Sequence, residues 1–188
     1  MSDRASKWWQ FVRESAYSLL SHNTSSIAQA WRAHLYGTKC TIDTGVIISN
    51  PDHFSCDEEC ALYHGTYVLN GYGYMEMGRR SHLGAMCYVN AQHGGVHLGN
   101  GVAIGPQTTL IAYSNHYEKD KYVTDCRIQE DIQIGDNVFI GANCSILPGT
   151  RVADNVVVGA GSVVKGELEG NAIYAGSPCE KLRDGWYK

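Results

Sequence analysis

Eight histidines and seven cysteines are the residues of this 188-residue chain best suited to chemistry. One histidine stands apart by position. His116 opens a long interruption, Ala112 to Asp131, in a count of six that runs on either side of it. A single imidazole suits general acid–base work: it takes a proton from a weak nucleophile as attack occurs and returns it to the leaving group. Direct transfer of that kind needs no nucleophilic Ser or Cys. Asn115 and Glu118 stand beside it and can orient the ring or contact a substrate, although solvation is the default for polar loop residues. His93 and His97 flank a diglycine one coil earlier, and either could line the same site. A zinc site of His93, His97 and His116 is the metal alternative. His97 immediately precedes an inward leucine, however, and should point outward, so no metal is expected. Cys56-x-x-x-Cys60 lacks the second pair of a tetrahedral site, and both cysteines fall into an apolar pattern that reads as packing.

The element that positions His116 is read from spacing. Ile134, Ile140, Ile146, Val152, Val158 and Val164 recur every six residues without a miss. Two residues before each come Ile132, Val138, Cys144, Thr150, Val156 and Ser162, all small or β-branched. Gly135, Gly141 and Gly159 follow the key residue in three of the units. A helix cannot produce this, because a step of six returns about 240° out of phase on a 3.6-residue turn. Short β-branched strands joined by glycine or Asp-Asn corners can. Three such units make a triangular coil, and stacked coils bury the apolar row in one continuous core.

The same row runs upstream through Leu98, Ile104 and Leu110, through Met77, Leu83 and Val89, and through Cys56, Leu62 and Val68, with Ile42 and Ile48 as an incomplete first coil. Steps within a triplet are six; steps between triplets are eight, nine, nine, 24 and six. Every surplus residue therefore falls after a third unit, at one corner of the prism. The largest surplus is the stretch that His116 opens. A solenoid that collects its insertions on one edge is expected to carry its functional face there.

Residues 1–36 do not keep the count. Trp8, Val12, Ala16 and Leu19 share one helical stripe with Trp9 and Leu20 beside it, and Ile27, Ala30, Trp31 and Leu35 form a second before Gly37. One or two helices covering the open end of the solenoid are expected. The paired tryptophans beside Lys7 and Arg13 also suit peripheral contact with a membrane surface. The expected organisation is a helical cap over 1–36, a parallel β-helix over 37–173 with loop 113–131 extruded, and a tail over 174–188. That tail covers the other end or reaches a neighbour. No apolar run nears the roughly 20 residues of a membrane span. A net charge of −4 speaks against nucleic acid as a partner. Seven scattered cysteines without a secretory signal pattern predict no disulfide framework and a reducing cytoplasm.

The segment IQIGDNVFIGANCSILPGTRVADNVVVGAGSVV, followed by NAIYAGSPCEKLR, closely resembles the C-terminal signature of the hexapeptide-repeat acetyltransferases. The resemblance is nearest to the sugar and polysaccharide O-acetyltransferases, relatives of the maltose, galactoside and nodulation-factor enzymes, and it runs from about residue 96 to 183. It implies an all-β solenoid that is a left-handed parallel β-helix, a homotrimer with sites at subunit interfaces, and acetyl-CoA as donor. That handedness is an exception to the usual right-handed crossover. The family's catalytic histidine falls on YSNH, hence His116. Its oxyanion donor falls on IGANC, hence the Ala142 amide. The pantetheine groove implies close approach at Ala142, Ala160 and Gly161, with Lys165, Lys181 and Arg183 as candidates for the CoA phosphates. KGELEG departs from the family's usual Thr-Lys-Asp-Ile-Pro, and Glu180 stands where a basic residue is common.

For the acceptor the resemblance implies a carbohydrate hydroxyl. The maltose and galactoside enzymes carry an asparagine-rich segment one coil before the catalytic loop, and LGAMCYVNAQHGG keeps only Asn90 of it. This points away from a free maltose-like sugar and toward a surface-polysaccharide unit or its nucleotide- or lipid-linked precursor. Asn90, His93, Asn115 and Glu118 are the acceptor-binding candidates. N-acetyl transfer to an amino sugar is the alternative reaction, and a non-catalytic solenoid is the structural one.

Overall fold

The computed structural model describes residues 19–185 together with Trp8, Val12, Ser15 and Ala16. The chain winds into a three-faced prism of short parallel strands. The first face orders Thr41–Ile42, Ala61–Leu62, His82–Leu83, Ala103–Ile104, Phe139–Ile140, Val156–Val158 and Ala172–Ala175, and then an antiparallel strand, Glu180–Asp184. The second runs Ile47–Ile48, Tyr67–Leu69, Tyr88–Asn90, Thr109–Ile111, Ser145–Ile146 and Val163–Val164. The third runs Phe54–Cys56, Tyr74–Met77, Gly95–Leu98, Ile132–Ile134, Arg151–Val152 and Glu167–Leu168.

The register stacks the sixes into three inward columns. Ile42, Leu62, Leu83, Ile104, Ile140 and Val158 pair in series on the first face. Ile48, Val68, Val89, Leu110, Ile146 and Val164 do so on the second. Cys56, Met77, Leu98, Ile134 and Val152 do so on the third. All but half-buried Cys56 are buried in one core. The row continues with Leu168 and Tyr174, in register with Val152 and Val158. The count of six misses them because the corner at Lys165 and Gly166 is shortened. That corner lies between the second and third faces, where every surplus residue also lies.

Small polar side chains two places before the key residue tie coil to coil. Cys60, Thr66, Ser81, Cys87, Thr108 and Cys144 donate to the carbonyls of Gly78, Gly84, Gly99, Gly105, Gly141 and Gly159 at 2.7 to 3.3 Å. A small donor at each corner satisfies the carbonyl without widening the turn, and Gly159 O also accepts from Ser162 Oγ at 2.6 Å. Three cysteines therefore stand where serine or threonine stands in other coils. Two others depart from the sequence expectation: the structure joins Cys40 to Cys56, with sulfurs 2.11 Å apart and Cα atoms 6.4 Å apart. The turn from the first coil into the second brings the two side by side, which spacing along the chain does not reveal.

The helix α1 (Ser26–Leu35) starts at Ser25, whose side chain accepts from the Ala28 N–H. Its inward side corrects the expected stripe. Ile27 and Trp31 are exposed, whereas Ala28 and Arg32 are buried. The Arg32 guanidinium donates to Ile42 O at 2.9 Å, Leu20 O at 2.8 Å and Asn23 O at 2.7 Å, fastening the helix and the turn before it to the first coil. Three carbonyls that need a donor outweigh the apolar pull of the neighbouring stripe. Trp8, Val12, Ala16, Leu19 and Leu20 are helical, while Lys7, Trp9 and Arg13 lie outside the described residues, as do 186–188. Among the described residues no helix is long and apolar enough to cross a membrane.

Candidate functional site

The interruption is an antiparallel ribbon standing on the corner between the second and third faces. Tyr113–Asn115 pairs with Arg127–Gln129, register Tyr113↔Gln129 and Asn115↔Arg127. Its base is fastened to the prism by Asn90 Nδ2, which donates to Tyr113 O at 2.9 Å, and by the Glu130 N–H, which donates to Ala112 O at 3.1 Å. Asp131 closes the base, accepting from the Gly95 N–H at 2.6 Å and from the Tyr74 hydroxyl at 3.3 Å. Coils before and after the ribbon thus stay in register, Ile132 opposite Val96.

His116 sits where the first ribbon strand ends. Its own N–H donates to Cys126 O at 3.3 Å, holding it against the returning chain. The imidazole Nε2 lies 3.0 Å from Glu118 Oε1, and the other carboxylate oxygen accepts from Lys121 Nζ in a short ion pair. Lys121 first, and His116 less, hold the Glu118 carboxyl below the usual carboxylate range. Nδ1 of His116 is buried and has no hydrogen-bond partner among the described residues.

The acceptor candidates do not converge equally. Asn115 is exposed on the ribbon. Glu118 is engaged by His116 and Lys121. Asn90 is occupied by the ribbon base, its Oδ1 accepting from the Gln92 N–H at 3.3 Å. His93 is part of a ring column, with centroids 5.1 Å from Tyr72 and 4.7 Å from Tyr113, whose hydroxyl accepts from Arg127 Nε at 2.8 Å. His97 points outward, bound to Glu76 Oε2 at 3.1 Å and the Tyr74 hydroxyl at 2.8 Å. Among the described residues no group of three or more His, Cys, Asp or Glu is placed to hold a metal ion.

The cofactor candidates lie elsewhere. Ala142, Ala160 and Gly161 stack on the corner between the first and second faces, with the Gly161 N–H donating to Ala142 O at 2.8 Å. The Ala142 and Ala160 N–H groups have no acceptor among the described residues. This corner admits only close packing: a Cβ on Gly141 would lie 2.5 Å from Ala160 N, and one on Gly105 2.5 Å from Ala142 N. Two free amides on a surface of small residues fit a thioester carbonyl and an extended amide-bearing arm. The basic candidates fit less well. Lys165 is exposed at the corner between the second and third faces, one face away. Lys181 is held by Asp184 at 2.5 Å and Glu169 at 2.9 Å, which in that order push its ammonium above the usual lysine range. Arg183 pairs with Ile173 at the end of the first face. One chain therefore places His116 and Ala142 on different corners. Sequence reasoning named Glu118 as able to orient the ring but missed Lys121, whose one signal was a lysine three residues after that carboxylate.

Residues 131–166 match the family described as bacterial transferase hexapeptide (six repeats). The chain is 29% identical over 119 residues to the galactoside O-acetyltransferase of Lactococcus lactis, covering 59% of this chain and 58% of that protein. It is 32% identical over 116 residues to the galactoside O-acetyltransferase of Escherichia coli, covering 59% and 57%. The chain thus spans somewhat more than half the length of these curated relatives. Among solved structures it resembles AntD, an N-acyltransferase from Bacillus cereus in complex with dTDP and 3-hydroxybutyryl-CoA, at a TM-score of 0.65 and 22% identity over 79% of this chain and 81% of that one. A maltose O-acetyltransferase from Clostridium difficile 630 aligns at 0.54 and 20% over 99% and 90%. At these identities both structures speak for the fold.

Proposed function

We propose, from the premise that the chain belongs to the hexapeptide-repeat acetyltransferase family, that it is an acetyl-CoA-dependent O-acetyltransferase acting on a carbohydrate hydroxyl. The observation that carries this reading is the place of His116, held against the returning chain where the first strand of the extruded ribbon ends. In the proposed reaction the acceptor hydroxyl gives its proton to the imidazole as its oxygen attacks the thioester carbonyl. The tetrahedral oxyanion takes a hydrogen bond from the Ala142 N–H. Collapse breaks the C–S bond, and the imidazolium protonates the departing thiolate. The products are an acetyl ester and free CoA. With acetyl-CoA as donor, the reaction is placed in the cytoplasm.

Because His116 and Ala142 occupy different corners, the site is proposed to form between chains of a homotrimer of left-handed β-helices. The surface chemistry supports this. Outward positions on the first face include Ala61, Ala103, Phe139, Val157 and Ile173, and on the second Ile47, Tyr67, Tyr88 and Val163. The third face instead presents Glu76, His97, Gln133, Arg151 and Glu167. The first two faces, more apolar than the third although His82, Asn90, Thr109 and Ser145 interrupt them, meet at the Ala142 corner and suit burial against copies, and the polar face suits solvent. We place the acceptor among surface-polysaccharide units or their activated precursors. An acceptor screen with acetyl-CoA and thiol detection, covering neutral, amino and nucleotide-linked sugars, tests it. Acetyl esters on a sugar are expected; transfer to amines alone would establish the N-acetyl reaction instead.

A further inference from the structure

We infer that Glu118 is a positioning residue that holds His116 as the Nε2–H tautomer, so that Nδ1 is the nitrogen that takes the acceptor's proton. The inference rests on the general-base role proposed for His116 and adds to it a named atom and a partner. The geometry permits one assignment. Glu118 is kept ionised by Lys121, so its oxygens can only accept. The imidazole nitrogen 3.0 Å from Oε1 must then carry the hydrogen. In the neutral ring the lone pair falls on Nδ1, the buried atom without a partner. The opposite tautomer is doubly unfavourable. It would point a lone pair at a carboxylate and leave a buried N–H unpaired.

The arrangement also serves the reaction. Once Nδ1 accepts the hydroxyl proton, the ring becomes an imidazolium with Nε2–H still facing an anion, so the charge that forms is met without movement of the ring. Lys121 holds the second carboxylate oxygen and prevents Glu118 from turning away. The bond from the His116 N–H to Cys126 O fixes the backbone beneath the ring. Nδ1 is shielded from bulk water although the ring as a whole is partly exposed, so its lone pair is not spent on a protein partner among the described residues. The contrary reading, a latch that merely blocks the imidazole, predicts the opposite kinetics.

The test combines a tautomer measurement with kinetics, using the full-length protein labelled with 15N-histidine. Long-range 15N–1H correlation, with the His116 signal identified by its loss in His116→Ala, should show Nε2–H and an unprotonated Nδ1 in the wild type. Glu118→Ala should mix the two tautomers and lower kcat by roughly 10-fold or more, with the acceptor KM little changed; loss of the base itself costs roughly 10²–10⁴-fold. Glu118→Gln, which can still accept from Nε2–H, should keep the tautomer and recover part of kcat. An Nδ1–H tautomer in the wild type, or wild-type or raised kcat in Glu118→Ala, would overturn the inference while leaving His116 as base. Undiminished turnover in His116→Ala would instead overturn the base itself and the role of Nδ1 with it.

Discussion

The cysteines show how one position can exchange chemistry without changing its structural task. Cys60, Cys87 and Cys144 make the same bond to a corner carbonyl that Thr66, Ser81 and Thr108 make. Burial pushes the Cys87 thiol up from 9.0 to about 11, and Cys60 and Cys144 shift in the same direction. The folded state therefore keeps a proton that the unfolded chain releases above pH 9. This contribution is intact below pH 9 and is lost as pH rises toward 11, at about 1.4 kcal/mol per unit from this thiol. Cys87→Ser retains a donor for Gly105 and removes the ionisation. Urea unfolding at pH 8 and 10.5 should show the variant losing about 2 kcal/mol less than wild type over that interval; equal losses would contradict the assignment. The same residues show what spacing conceals. The pattern marked Cys144 as a small site and Cys60 as packing, which is right for their size. It could not show that the hydroxyl or thiol hydrogen is the part used. Nor could it show the pairing of Glu118 with His116 and Lys121, because a loop has no period to constrain which side chains meet.

At the scale of elements, corners decide which residues are allowed. The corner between the first and second faces stacks so closely that Gly141 faces backbone atoms of Ala160. Gly141→Ala should therefore force the coils apart and cost about 1–3 kcal/mol of stability by denaturant titration. It should also lower CoA affinity, since the same shift moves the Ala142 and Ala160 amides. A neutral variant would show that the corner has slack that the packing denies. The inward row was legible as far as Val164, since a parallel coil leaves no freedom in which residue faces the core, and was lost at Leu168 and Tyr174, beyond a shortened corner. The helix was less so. An amphipathic stripe of Ile27, Ala30, Trp31 and Leu35 looked like the buried side, yet the helix turns Arg32 inward because the buried carbonyl of Ile42 and the carbonyls of Leu20 and Asn23 receive its guanidinium. A polar residue with enough partners is buried as readily as an apolar one, and its partners are not visible in a helical wheel.

For the whole molecule, the three faces differ in chemistry as they would if two of them met other copies. Phe139 is 46% exposed on the first face, between Ala103 and Val157. Phe139→Glu should leave the solenoid folded, because the side chain points away from the core, but should break the proposed trimer into monomers in sedimentation. Activity should fall with the trimer, since His116 and Ala142 are proposed to meet only between chains. An active monomer would refute the shared site. The charge ladder on the third face was not anticipated from composition, which sums over faces that the fold separates. The central claim is direct acetyl transfer with His116 as base. Its most direct measurement is CoA-thiol release from acetyl-CoA, with the acceptor found by the screen, for wild type and His116→Ala, alongside CoA binding to each. The account predicts a loss of roughly 10²–10⁴-fold in turnover with CoA affinity close to wild type. Turnover by His116→Ala equal to that of the wild type would contradict it.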